Sequence, residues 1–210
     1  MKPDTAAMAA MDSGSGSAVA GAPALTPEEI DRAKRFLQQT HDELVAATRG
    51  LSEAQWKFKP AADRWSIAEI VEHVATVHSV VVGPVSQRLA EAPAPPRERD
   101  CRRADALVIE GFPNRTARFK GPDALQPAGR VTPEESLEAL AQGNAELLRR
   151  LENAPDLRGH AIDSAPMKAI SNGEYETMDG YQWILAAAGH AARHTGQILE
   201  VKADAGFPPK

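Results

Sequence analysis

The sequence predicts an all-α fold, a four-helix bundle with one long crossover between its second and third helices, on three observations. Four long segments carry apolar residues at helical spacing, three of them near a capping-box signature, and the connections between them differ greatly in length. Period-2 alternation, the mark of half-buried strands, is nearly absent.

Residues 1–25, with the run GSGSAVAGAPA, hold almost no large apolar side chain to offset the entropy of ordering. They read as a flexible leader, and 26–210 as the bundle domain. A signal peptide needs a leucine-rich stretch after a basic start, and MKPDTAAMAAMDSGSGS has none. The first helix opens at Thr26-Pro27-Glu28-Glu29, where the hydroxyl caps the N3 amide, the glutamate reaches back, and Pro27 sits where its missing N–H costs nothing. Its stripe is Ile30, Ala33, Phe36, Leu37, Leu44 and Val45, and Gly50 stops it, giving a helix over about 27–49. Ser66-Ile67-Ala68-Glu69 opens the second, over about 66–90. Thr132-Pro133-Glu134-Glu135 opens the third, over about 132–153, with Leu137, Leu140, Ala141, Leu147, Leu148 and Leu151 on one face and Pro155 beyond. The fourth spans about 178–204, before Gly206.

About 16 residues join the first pair of helices and about 24 the last, but about 41, Glu91 to Val131, separate the second from the third. That gap is long enough to run the length of a bundle, so helices two and three are expected to be parallel with the crossover outside, short helical turns within it.

The composition is that of a soluble chain: 42% hydrophobic, 25% charged, with net charge -5. An acidic balance argues against a surface that tracks nucleic-acid phosphates. No apolar run approaches the roughly 20 residues that cross a bilayer, and the single Cys101 excludes an internal disulfide framework, so the expected compartment is the cytoplasm.

Three histidines carry the chemistry. His190 and His194, four residues apart, share a face of the fourth helix, and His73 lies on the second. If those helices are antiparallel, His73 lies roughly 25 Å before the end of the second, and His190 and His194 lie roughly 18 and 24 Å after the start of the fourth. All three can meet at one level. Neutral imidazoles suit zinc, nickel, copper or iron; zinc or nickel is expected first, with manganese or iron also acceptable, and three imidazoles leave coordination positions open for a water or a thiol. Gln197, one turn beyond His194, and Glu69, one turn before His73, are the candidates to orient these rings, although Glu69 has a competing capping role, and Glu72 points elsewhere.

Other residues have plainer readings. His78 lies about 140° around the helix from His73, and His41 and His160 have no partner in sequence. Trp56, Phe58 and Trp65 are expected to pack the junction of the first two helices, while Tyr181 and Trp183 line a pocket mouth or the core. Cys101, among charges with no helix start or paired histidine near it, is rejected as a nucleophile, and Asn114-Arg115-Thr116 is an empty glycosylation match in a cytoplasmic protein. Arg97, Arg99, Arg102 and Arg103 mark the crossover as the place for pocket walls.

The stretch from Pro60 through Trp65-Ser66-Ile67-Ala68-Glu69 to Glu72-His73, with His190-Ala191-Ala192-Arg193-His194-Thr195-Gly196-Gln197-Ile198, resembles the DinB-like superfamily, including its YfiT-like branch, over roughly 27–205. The resemblance implies a four-helix bundle with parallel second and third helices, usually a homodimer, holding one divalent ion by His73, His190 and His194. It further implies a small-molecule substrate and either hydrolysis or transfer involving a low-molecular-weight thiol. The alternative is a non-catalytic metal-binding bundle acting as an interaction or stress-response module.

Overall fold

Residues 24–116, 122–154 and 156–210 are described by the computed structural model. All but the last two residues of the expected leader lie outside them. Four long helices form the frame: α1 (Pro27–Thr48), α3 (Ile67–Val80, prolonged by a π turn and by α4, Ser86–Ala90), α6 (Pro133–Asn153) and α8 (Gly180–Lys202). Thr26, Ser66 and Thr132 each close the capping box read from sequence. Asp179 and Gln182 close another at the start of α8, with a carboxylate in place of the hydroxyl.

The helices are arranged as a square. α8 packs on α1 and α3, and α6 packs on α3 and α1, so α1 faces α3 across the core. Gly143 of α6 approaches His78 so closely that a Cβ there would stand 3.1 Å from the histidine's own. Further along both helices Arg150 donates to the Val82 carbonyl and to Ser86, so α3 and α6 run parallel, as the crossover requires. Arg32 bonds the Tyr181 hydroxyl and Lys202 the Ala47 carbonyl, which makes α1 and α8 parallel too. Leu37, Leu147, Leu151 and Leu185 fill one end of the core, and Leu44, Ile70, Leu140 and Ile198 the other. Each such side chain contributes about 1.5–3 kcal/mol on burial.

The connections are richer than the sequence suggested. A short α2 (Glu53–Lys57) bridges α1 to α3. The crossover holds an eleven-residue helix, α5 (Cys101–Gly111), packed on the outer side of α8, and a 3₁₀ turn at Asp123–Leu125. Between α6 and α8, β1 (Ala161–Asp163) pairs antiparallel with β2 (Thr177–Asp179) around α7 (Ala165–Ile170). Three-residue strands are too short to register as alternation. The second helix is also not uniform: Pro84 has no N–H to give, and Val81–Val85 widens into a π turn. Ser86 Oγ and Arg150 occupy the carbonyls of Val81 and Val82. Among the described residues no helix is long and apolar enough to cross a membrane.

Candidate metal centre

The Ser66 cap fixes where α3 begins, and the helical step from there turns His73 toward α8. The Asp179 cap does the same for α8, which is buried along most of its length. The three imidazoles meet between them. His73 and His194 are buried and His190 is half-buried, with one ligand atom from each inside a 4.8 Å group. His190 Nε2 lies 3.1 Å from Nε2 of His73 and 3.1 Å from Nε2 of His194.

The outer nitrogens decide what the inner ones can do. His73 Nδ1 stands 2.6 Å from the Leu125 carbonyl, which can only accept, so the neutral ring carries its proton there and turns a lone pair inward. His194 Nδ1 stands 2.9 Å from Gln197 Oε1, with the same result. His190 Nε2 can supply one proton at most, to one neighbour. At least one of the two close contacts is therefore lone pair against lone pair, an arrangement relieved by a cation bound between the nitrogens. An ion at the ~2.0–2.1 Å zinc–nitrogen distance would see each 3.1 Å pair at roughly 100°, an ordinary angle for bound imidazoles.

Electrostatics agree. Burial depresses all three imidazoles: His73 lies below the usual range despite the Leu125 carbonyl, His194 falls to about 3, and His190 lies well below, helped by the charges of His194 and His73. Neutral imidazole is the form that binds metal.

The walls differ from expectation. Trp65 does more than pack a junction: its ring centroid is 4.9 Å from that of His73, and it stacks on His194 at 6.2 Å and 24°. Glu69 does not reach His73. One of its oxygens accepts from the Ser66 amide and the other meets Lys59 at 2.7 Å, so the competing cap has won and Leu125 holds the ring instead. Glu72, set aside from sequence, clasps the crossover by accepting from the Ala128 and Gly129 amides at 2.9 Å each, where Gly129 turns with φ 64°. Phe112 and Pro113 close over Gly189, where a Cβ would stand 2.8 Å from the phenylalanine's. The crossover does supply walls, and Arg115 packs on Gly196 and donates to the Arg193 carbonyl beside His194, but Arg99 and Arg103 lie elsewhere. Arg99 bonds Thr177 and Gln182, and Arg103 pairs with Glu174, near the start of α8. Gln182 is eight residues, about 12 Å, before His190.

Cys101 does begin a helix, contrary to expectation. Burial nonetheless raises its thiol above the ordinary value, which disfavours the reactive thiolate. Tyr181 belongs to the core, with its hydroxyl donated to the Glu29 carbonyl. Trp183 lines a hollow of about 150 Å³ beside the π turn, away from the imidazoles. His160 bonds the Ala92 carbonyl at 2.5 Å and lines the same hollow.

A sequence model described as the DinB superfamily matches residues 36–198, more than half of the chain and all three imidazoles. The chain belongs to the DinB superfamily. The chain is also similar to the uncharacterized protein YuaE of Bacillus subtilis (strain 168), 22% identical over 158 residues, 73% of this chain and 87% of YuaE. YfiT from Bacillus subtilis, described as a probable metal-dependent hydrolase with an unusual four-helix bundle topology, matches with a TM-score of 0.57 at 16% identity, over 88% of this chain and 91% of its own. With YfiT the likeness is one of fold.

Proposed function

We propose that this DinB chain is an enzyme that uses one divalent metal ion, held by Nε2 of His73, His190 and His194, to act on a small molecule by hydrolysis or by transfer involving a low-molecular-weight thiol. The observation that carries the reading is the convergence of three neutral imidazoles with too few protons among them, two of them locked with lone pairs inward by Leu125 and Gln197. When bound, a divalent ion held by neutral ligands keeps its full charge and lowers the pKa of a coordinated water or thiol, giving a nucleophile near neutral pH.

The chain's own part is positioning and exclusion. The Leu125 carbonyl and Gln197 orient His73 and His194 and make them more basic ligands. Trp65 covers one side of the pair and sheds water from it. Phe112 and Pro113 hold the crossover over α8, and the Glu72 clasp holds it over α3 just beyond the 3₁₀ turn. A site this enclosed suits a small substrate rather than a polymer. The YfiT description, a probable metal-dependent hydrolase, is consistent with the hydrolytic form.

Elemental analysis of protein prepared without chelator or histidine tag tests the reading, coupled to assays of ester and amide hydrolysis and of thiol consumption. About one equivalent of metal in wild type is expected, lost together with turnover in His73→Ala, His190→Ala and His194→Ala. Metal bound at full stoichiometry with no turnover in either assay class would favour the non-catalytic module. A wild type that takes up no zinc, nickel or manganese sinks the site itself.

A further inference from the structure

Each of the four bundle helices places a buried polar atom with no protein partner among the described residues near its middle: Nδ1 of the half-buried His41 on α1, His78 Nδ1 on α3, Asn144 Oδ1 on α6 and His190 Nδ1 on α8, with Ser136 Oγ and Trp183 Nε1 also unpartnered but about two turns away along α6 and α8. The helix registers bring them to one level. His78 lies against Gly143, the neighbour of Asn144. The Nε2 of His78 reaches across to the Ala187 carbonyl at 3.3 Å, one turn before His190. Lys34 pairs with Glu152 at 2.7 Å, and α1 and α6 are antiparallel, so His41, seven residues on, falls beside residue 145.

The atoms are complementary. A carbonyl can only accept, so His78 carries its proton on Nε2 and presents a lone pair at Nδ1. His190, engaged through Nε2, carries its proton on Nδ1 and needs an acceptor. Four unpartnered polar atoms in one core layer would consume much of a domain's marginal stability. Water, both donor and acceptor and in need of two to four partners, is the occupant that such a set suits.

We propose that His41, His78 and Asn144 hold an internal water layer across the bundle core, and that this layer accepts the Nδ1–H of His190 and so fixes that ring as a metal ligand. The inference rests on the reading of the three imidazoles as a metal site. His78 is then a positioning residue, acting on the centre through water and His190.

Two measurements on the full chain decide it. In solution NMR, the wild type should show contacts between long-lived water and the ring protons of His78, with nitrogen shifts that report a proton on Nε2. No such water contacts, or a proton on Nδ1, overturns the layer. In competition with a chromogenic chelator, His78→Leu should bind zinc roughly 10–100-fold more weakly than wild type, and His78→Gln, which keeps an acceptor, should recover most of that loss. Wild-type affinity in His78→Leu, or no recovery in His78→Gln, overturns the positioning role. If His78→Leu does not fold, Asn144→Leu takes its place with the same expected direction. A wild type that binds no zinc removes the metal reading and the role at His190, while the water contacts still decide the layer.

Discussion

α8 carries two buried polar clusters about three turns apart, and they are built on opposite principles. At its start Asp179 gives one oxygen to the Gln182 amide and the other to Arg158 at 3.1 Å. Arg158, only 3% exposed, also holds Asp105 at 2.7 Å and Glu29 at 2.9 Å, and Arg32 stands 3.6 Å from Asp105. Burial lifts Asp179 to about 6 against the pull of Arg158, yet each carboxylate has a counter-charge supplied by the chain. At the imidazole centre the groups are neutral bases, their outer atoms tied and their inner lone pairs facing one another. A cluster that closes on itself is architecture, tying the start of α1, the crossover helix α5 and the loop before β1 to α8. A cluster left short of positive charge is where the proposed metal ion would belong.

The contrast breaks most visibly at Arg158. Arg158→Met leaves Asp105, Asp179 and Glu29 without their shared partner and should cost about 3–5 kcal/mol in urea unfolding, while the folded fraction keeps its zinc affinity. Weakened zinc binding in that variant would mean that the two clusters are coupled.

Acid separates them by sign. His78 has a folded pKa of about 4, pushed down by burial and His41, against about 6.5 in an unfolded chain. Between those values the unfolded chain takes up a proton that the fold refuses, so stability is lost as pH falls from 6.5 to 4, by about 3 kcal/mol from this residue alone. His194, held at about 3, adds in the same direction in metal-free protein. Asp179 opposes them, because an acid whose folded pKa is raised gains stability as pH falls from 6 toward 4. Metal-free protein should therefore lose stability below pH 6.5 in thermal scans, and Asp179→Asn should steepen that loss. A flat profile in both proteins would show that the imidazoles are not desolvated as described.

The smallest effect sharpens the centre itself. Gln197→Leu removes the group that orients His194 and should weaken zinc binding roughly 10–100-fold, about 1.4–2.7 kcal/mol, with the melting temperature of the metal-free protein nearly unchanged. Chelator competition reads the first quantity and calorimetry the second.

The frame was legible because its signals are local. Thr26, Ser66 and Thr132 carry their partners three residues on, and the helical rise alone brought His73 level with His190 and His194. The Asp179 and Gln182 box is equally local, but it carries a carboxylate and an amide where the other three carry a hydroxyl and a glutamate. Pro84 stood in plain view, yet the relief of its freed carbonyls by Arg150, 66 residues away, did not. What holds His73 could not be read at all, since a main-chain carbonyl at Leu125 has no side-chain signature. Nor could Arg158, because burial is what turns a loop arginine into the hub of three carboxylates.

The crossover grips the centre by its backbone: the Leu125 carbonyl on His73, and the Ala128 and Gly129 amides on Glu72. Such contacts are indifferent to which side chains the segment carries and sensitive to how many residues it contains. Substitutions through this stretch should pass largely unnoticed by the imidazoles, apart from proline at 128 or 129, which would delete a bonded amide, and replacement of Gly129, whose positive φ strains other residues. A single inserted or deleted residue, by contrast, would slide the carbonyl off the ring. Around residues 125–129 the crossover can thus change its side chains freely, as long as its length is kept.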